Sequence, residues 1–309
     1  MAQVTIREER SVLEMLVDGE LFALYNFDPN AQAIYKPFFH PIIGPSGLAI
    51  TQNGEYAGTL RGHYWHRGLM IAHQRVNGVS FWEERQEDCG RIIHQSFEEI
   101  NSGSDRGNFI ELLAWTTPDG SITIREERSV ELLCEPSGVC CLDFCLTLTA
   151  NAGDVEFGKT SYGILAAKAS ERLHVGDHDP AHGILAAKLV NLAGHQQGGQ
   201  ITFSDGELNT RHTSQNGISI RAEWGDYSGP PQVNEGYAIF DHPSNPRHPT
   251  TWLNWNNMTI GPSPTFEELM RIPNAESLRF AYRFLVHSGN AASANIQKHY
   301  DRYAQKKMI

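Results

Sequence analysis

The chain has 309 residues, with 25 Lys and Arg against 36 Asp and Glu, for a net charge of −11. That length can hold one large all-β domain or two ordinary ones, and the acidic balance argues against a general nucleic-acid binder, which carries a basic footprint. No apolar run approaches the roughly 20 residues that span a bilayer, and residues 1–10 lack the apolar core of a signal peptide, so the expected location is cytoplasmic.

The chain opens as a hairpin. Residues 13–17 and 20–25 are β-compatible, and Asp18-Gly19 supplies a tight turn. Pro118-Asp119-Gly120 marks a second turn between residues 112–116 and 121–124. Further on, Leu142, Phe144, Leu146 and Leu148 alternate with Asp143, Thr147 and Thr149. Ile218, Ile220, Ala222 and Trp224 suggest another two-faced strand, as do Leu278, Phe280, Tyr282, Phe284 and Val286, whose opposite face carries Arg279, Arg283 and His287. Period-two alternation broken by Gly, Pro, Asn and Asp points to antiparallel sheets. Helical pattern is confined to one turn near residues 266–270 and a terminal helix over 291–306. Asn290 is the expected cap of that helix, with Ile296, Tyr300 and Tyr303 inward. The expected architecture is an all-β super-sandwich of two large antiparallel sheets with few helices, a single domain over 1–309.

Two exact repeats interrupt this pattern. The octapeptide from Thr5 to Val12 recurs from Thr123 to Val130, and the hexapeptide from Gly163 to Lys168 recurs from Gly183 to Lys188. They set no regular period, which argues against a solenoid. The first records either related halves or two edge strands carrying charged guard residues. The five cysteines, Cys89, Cys134, Cys140, Cys141 and Cys145, are an odd number without a secretion signal, which favours free thiols acting as small buried hydrophobes.

Chemistry concentrates in two stretches. Residues 61–69 hold His63, Tyr64, Trp65, His66 and Arg67 between glycines. Residues 240–249 hold Asp241, His242, Asn245, Arg247 and His248 among three prolines. Imidazole gives or takes a proton near neutral pH, the Arg fork holds a carboxylate or sugar oxygen, and an aromatic ring stacks on a sugar. The expectation is one shared pocket. In it His66, His242 and His63 transfer protons, Arg67 and Arg247 bind oxygen or carboxylate, Asn245 orients the ligand, and His248 and Trp65 complete the walls. His40 and His94 stand in reserve on neighbouring strands. The carboxylate run Glu83, Glu84, Glu87, Asp88 reads as a solvated face, and His73 as a satisfied structural histidine. No cofactor is expected from any motif, although a His cluster would also suit a divalent metal.

Several motifs together resemble a bacterial family labelled "methane oxygenase PmoA", also called DUF6807. They are Lys36-Pro37-Phe38-Phe39-His40-Pro41, His63 with His66-Arg67-Gly68-Leu69, residues 77–82, 90–94 and 157–163, Trp224-Gly225-Asp226-Tyr227-Ser228-Gly229, and residues 239–249. The resemblance runs from about residue 35 to 288. Around the first loop the family usually reads Asp-His-Pro-His-His-Arg-Gly; here Gly62, Tyr64 and Trp65 replace the Asp, the Pro and the middle His. The methane label fits a bundle of transmembrane helices, which this sequence lacks. The resemblance implies a galactose-mutarotase-like super-sandwich whose members often act on sugars. The expected function is therefore His-based acid/base chemistry on a sugar or polyol derivative, of epimerase, mutarotase, lyase or hydrolase type. The expected partner is a small-molecule carbohydrate, with no nucleic acid and no membrane. Two other readings remain: a non-catalytic sugar-binding or accessory protein, and a His-ligated metal enzyme such as an oxygenase.

Overall fold

The structure is a computed structural model. It describes residues 2–28, 34–54, 64–85, 87–173, 198–206, 220–255 (without the Trp255 side chain) and 259–307. His63, the second hexapeptide copy and Ile218 lie outside the described residues. Among those described, two large sheets account for most of the chain. In the ten-stranded sheet the order is β14 (Arg221–Ala222), β17 (Thr250–Trp255), β18 (Thr259–Pro262), β12 (Gly163–Lys168), β5 (Leu69–His73), β4 (Phe38–Ile42), β3 (Glu20–Asn26), β2 (Val12–Val17), β1 (Gln3–Glu9) and β7 (Gly103–Ser104). The eight-stranded sheet runs β13 (Gln200–Phe203), β15 (Trp224–Ser228), β16 (Glu235–Asp241), β20 (Ser277–Ser288), β10 (Cys140–Ala150), β9 (Ile122–Cys134), β8 (Arg106–Thr116) and β6 (Arg91–Asn101). A short pair, β11 (Val155–Phe157) with β19 (Met270–Ile272), stands apart. The named strands pair antiparallel throughout, so the expected super-sandwich is the observed one.

Alternation explains the packing. Leu142, Phe144, Leu146 and Leu148 of β10 and Phe280, Tyr282 and Phe284 of β20 are buried in one apolar cluster with Phe39, Leu69 and Ile71 from the other sheet. The rings of Phe39 and Phe144 meet edge to face at 5.5 Å across the layers. The opening hairpin turns as expected, with Asp18 (φ 52°) and Gly19 (φ 86°) both left-handed, the geometry a two-residue β-turn needs. One layer interface is polar. Tyr25 of β3 hydrogen-bonds Glu111 of β8 and accepts from Arg128 of β9 at 2.8 Å; Arg128 also donates to Glu126 at 2.7 Å. All four side chains are buried.

Several expectations change. The alternation through Ala222 and Trp224 spans two strands, because the chain leaves the ten-stranded sheet at β14 and enters the eight-stranded sheet at β15. The turn near residues 266–270 is not helical. The terminal helix, α1 (Ile296–Ala304), begins at the left-handed cap Asn295; the Asn290 side chain is instead taken by a local turn with Ser293. Ile296, Tyr300 and Tyr303 do face inward. Cys134 and Cys140 form a disulfide across the β9–β10 pair, so they are not free thiols, whereas Cys89, Cys141 and Cys145 are free. Neither octapeptide copy is an edge strand, since β9 lies between β10 and β8 and β1 between β2 and β7. No described helix is long and apolar enough to cross a membrane.

Candidate functional site

The outer face of the ten-stranded sheet, turned away from the sandwich core, carries its own small apolar cluster of Phe38, Met70, Ala72, Trp82, Ala166 and Leu253, with Trp65 and Tyr162 packed on it. Phe38, Met70 and Ala166 sit side by side on β4, β5 and β12. Side chains two residues along a strand return to the same face, so the next outward row is His40, Gly68 and Lys168. Gly68 touches both neighbours. Its carbonyl accepts the Lys168 amide at 2.7 Å, and a Cβ placed on it would lie 2.9 Å from His40 Cβ and 2.0 Å from the Phe39 carbonyl oxygen. Its φ of 46° is also a conformation few other residues adopt. Gly68 thus lets the chain pass tightly against Phe39 and His40, and the backbones of His40 and Lys168 on either side of it are about two strand spacings, or ~10 Å, apart. Lys168 pairs in turn with Thr259 of β18.

His66 leans on this row from the first loop. Trp82 donates its indole N–H to His66 Nε2 at 2.9 Å, so the ring proton sits on Nδ1, 3.2 Å from Thr259 Oγ1. His66 is buried. Arg67 forms a fork on Glu84, with Nε 2.8 Å from Oε1 and Nη2 2.6 Å from Oε2, and Lys36 Nζ reaches the same carboxylate at 2.9 Å. Glu83 and Glu84 are buried rather than solvated. Burial alone would raise the Glu84 carboxyl, but Lys36 and Arg67 hold it below its usual value.

Two groups in the row are perturbed by burial. His40 is lowered from 6.5 to about 4; its Nδ1 lies 3.1 Å from Thr51 Oγ1, and no described group meets Nε2. Lys168 is 2% exposed. Burial lowers its ammonium from 10.5 to about 8, against the field of Glu171. Its one hydrogen-bond partner among the described residues is the Gly54 carbonyl, at 3.5 Å. At neutral pH this face therefore carries a neutral imidazole that can accept a proton and an ammonium that can donate one. Among the described residues no three His, Cys, Asp or Glu side chains converge as metal ligands.

The other expected site residues lie elsewhere. The β17–β18 hairpin has the first loop at its Trp255–Thr259 end, where His66 meets Thr259, and the second loop at its Thr250 end. These ends are about 17 Å apart along the strand. The second loop is occupied with packing. His242 lies 2.7 Å from Ser244 Oγ and 3.0 Å from the Lys306 carbonyl after α1. Asn245 bridges Asp241 and the Ala281 backbone. His248 binds Asp241 at 2.8 Å and faces Tyr300 at 3.3 Å. Arg247 donates to the carbonyls of Pro264, Glu268 and Leu269. His94 is on the other sheet, 2.7 Å from Glu111. His73 is satisfied as expected: the Arg75 amide donates to its Nδ1, Nε2 meets Thr265, and burial lowers it to about 3. The structure therefore joins His66, Arg67, Trp65 and His40 on one face and separates them from His242, Asn245, Arg247, His248 and His94. Sequence reasoning missed Lys168; the available signal was a lysine closing the apolar run of residues 163–167, where alternation would bury it.

Among solved structures, the chain is similar to a galactose mutarotase related enzyme from Lactobacillus acidophilus. That match has 7% identity and a TM-score of 0.38, and covers 92% of this chain and 97% of that one. No curated protein matches. The family comparison names neither a methane substrate nor an oxygenase: residues 12–301 match a family described only as of unknown function, and the chain belongs to that family, DUF6807.

Proposed function

We propose that this protein is a carbohydrate-active enzyme that transfers a proton at or beside an oxygen-bearing carbon of a sugar or polyol derivative. The reaction would be of isomerase, lyase or hydrolase type. The observation that supports this reading is the His40–Gly68–Lys168 row, which puts one proton acceptor and one proton donor on the same face of the sheet. His40, neutral above about pH 4, takes the proton through Nε2. Lys168, protonated below about pH 8, supplies one or stabilises developing negative charge. Trp65 and Tyr162 pack on the same apolar cluster and offer rings to stack on a sugar, and the Trp82–His66–Thr259 chain of hydrogen bonds fixes the strand that pairs with Lys168.

The test is proton NMR of aldoses, sugar acids and polyols incubated with the protein in D2O. Anomer equilibration, deuterium entering a carbon position, or bond cleavage should appear with the wild type. His40→Ala should slow it by about 100-fold or more, the usual size of one acid/base contribution. No change in any compound of the panel, or an undiminished rate in His40→Ala, would sink the reading.

A further inference from the structure

The Cys134–Cys140 disulfide borders a cavity far from the outer face. A space of about 550 Å³ opens at one end of the sandwich, where the β2–β3 turn, the loop after β4, the β9–β10 turn and the end of β20 come together. Val17, Phe22, Ile43 and Val286 give it apolar walls. Of the two bridged cysteines, Cys140 lines this cavity and Cys134 does not; they are 9% and 3% exposed. The β9–β10 turn closes through bonds of its own. The Glu135 amide donates to the Val139 carbonyl at 2.8 Å, and the Gly138 amide to the Glu135 carbonyl at 2.9 Å. The strands then pair continuously from Cys134 and Cys140 to Ile124 and Ala150. Opening the disulfide leaves all of these bonds in place. Neither neighbouring thiol can open it. Cys141 and Cys145 alternate onto the opposite face of β10, and burial raises both thiols, whereas the attacking form is the thiolate.

We propose that Cys140 is a redox modification site for a low-molecular-weight thiol that enters through this cavity. The entering thiolate attacks Cys140 Sγ, the bond to Cys134 Sγ breaks, and Cys134 leaves as a thiolate that takes a proton from water. A second thiolate attacks the sulfur of the bound thiol and frees Cys140. The exchange oxidises two small thiols to their disulfide and reduces the Cys134–Cys140 pair by two electrons.

Mass spectrometry of the full chain tests this. Purified protein that is unfolded and alkylated should keep Cys134 and Cys140 unlabelled; labelling of both would overturn the proposal. Native protein is then exposed to 2-mercaptoethanol, quenched in acid, unfolded and alkylated. The pair should open at a rate proportional to thiol concentration, within a time in which Cys141 of untreated native protein takes up no N-ethylmaleimide. Opening no faster than Cys141 labelling would mean that the bond is reached only by unfolding, and would overturn the proposal. Two variants identify the attacked sulfur. In native Cys134→Ser, 2-hydroxyethyl disulfide should modify Cys140 about tenfold or more faster than it modifies Cys134 in Cys140→Ser, because only Cys140 faces the cavity. Equal rates, or a faster reaction at Cys134, would overturn the assignment to Cys140.

Discussion

Lys168 and His40 separate function from stability at the level of single side chains. If they act as donor and acceptor, turnover against pH should be bell-shaped, failing below about 4 as His40 gains a proton and above about 8 as Lys168 loses one. A flat profile across that range would remove both from the chemistry. Lys168 also opposes folding. Its folded value of about 8 lies below its unfolded 10.5, so the unfolded chain binds the proton more tightly, and the native state gains stability as pH rises from 8 to 10.5. At neutral pH that difference corresponds to about 3 kcal/mol. Lys168→Met should accordingly raise the melting temperature while slowing turnover, the signature of a side chain kept at a cost to the fold. His66 should behave in the opposite way. His66→Ala leaves the Trp82 indole N–H buried without its acceptor, a loss of about 1–3 kcal/mol read by thermal melting.

Among elements, the second loop and α1 form one clasp. Asp241 accepts from Asn245, His248 and the Thr250 amide, while His242 holds the Lys306 carbonyl beyond α1. Asp241→Ala would leave those donors without their acceptor and should raise amide exchange across residues 296–304 more than across β10. Exchange confined to the loop itself would show that the clasp does not hold α1. The clasp explains why the richest polar stretch of the sequence was misleading. Prolines and ionisable groups at that density mark a fixed loop, but a ligand and a docked helix demand the same fixing. Strand identities were legible because apolar residues recur at every second position of β10 and β20, even though Phe280 to His287 of β20 are buried on both faces, with Leu285 packed in one cluster with Ile296, Tyr300 and Tyr303 of α1. The start of α1 was not, because Asn290 had a local partner, Ser293, that composition alone does not rank above capping. Nor was the change of sheet at Glu223 visible, since alternation continues across it while the layer switches.

At the scale of the whole molecule, the Tyr25–Glu111–Arg128–Glu126 network ties the two sheets through hydrogen bonds in an otherwise apolar interior. Arg128→Met removes the cation between two buried carboxylates and should destabilise by about 3–5 kcal/mol in chemical denaturation, the usual result of breaking a buried pair. A shift below 1 kcal/mol would mean that the interior is better solvated than its burial implies. Arg128 belongs to the second octapeptide copy, and here the sequence could not decide what the structure does. The first copy follows β1 to Glu9 and then turns into β2, with Arg7, Glu8, Glu9 and Arg10 facing solvent, whereas the second runs through β9 with Glu126 and Arg128 in the interior. An antibody raised against this peptide would thus find one epitope per native molecule and two per unfolded one. Binding stoichiometry would then count unfolded chains, with no label attached to the protein.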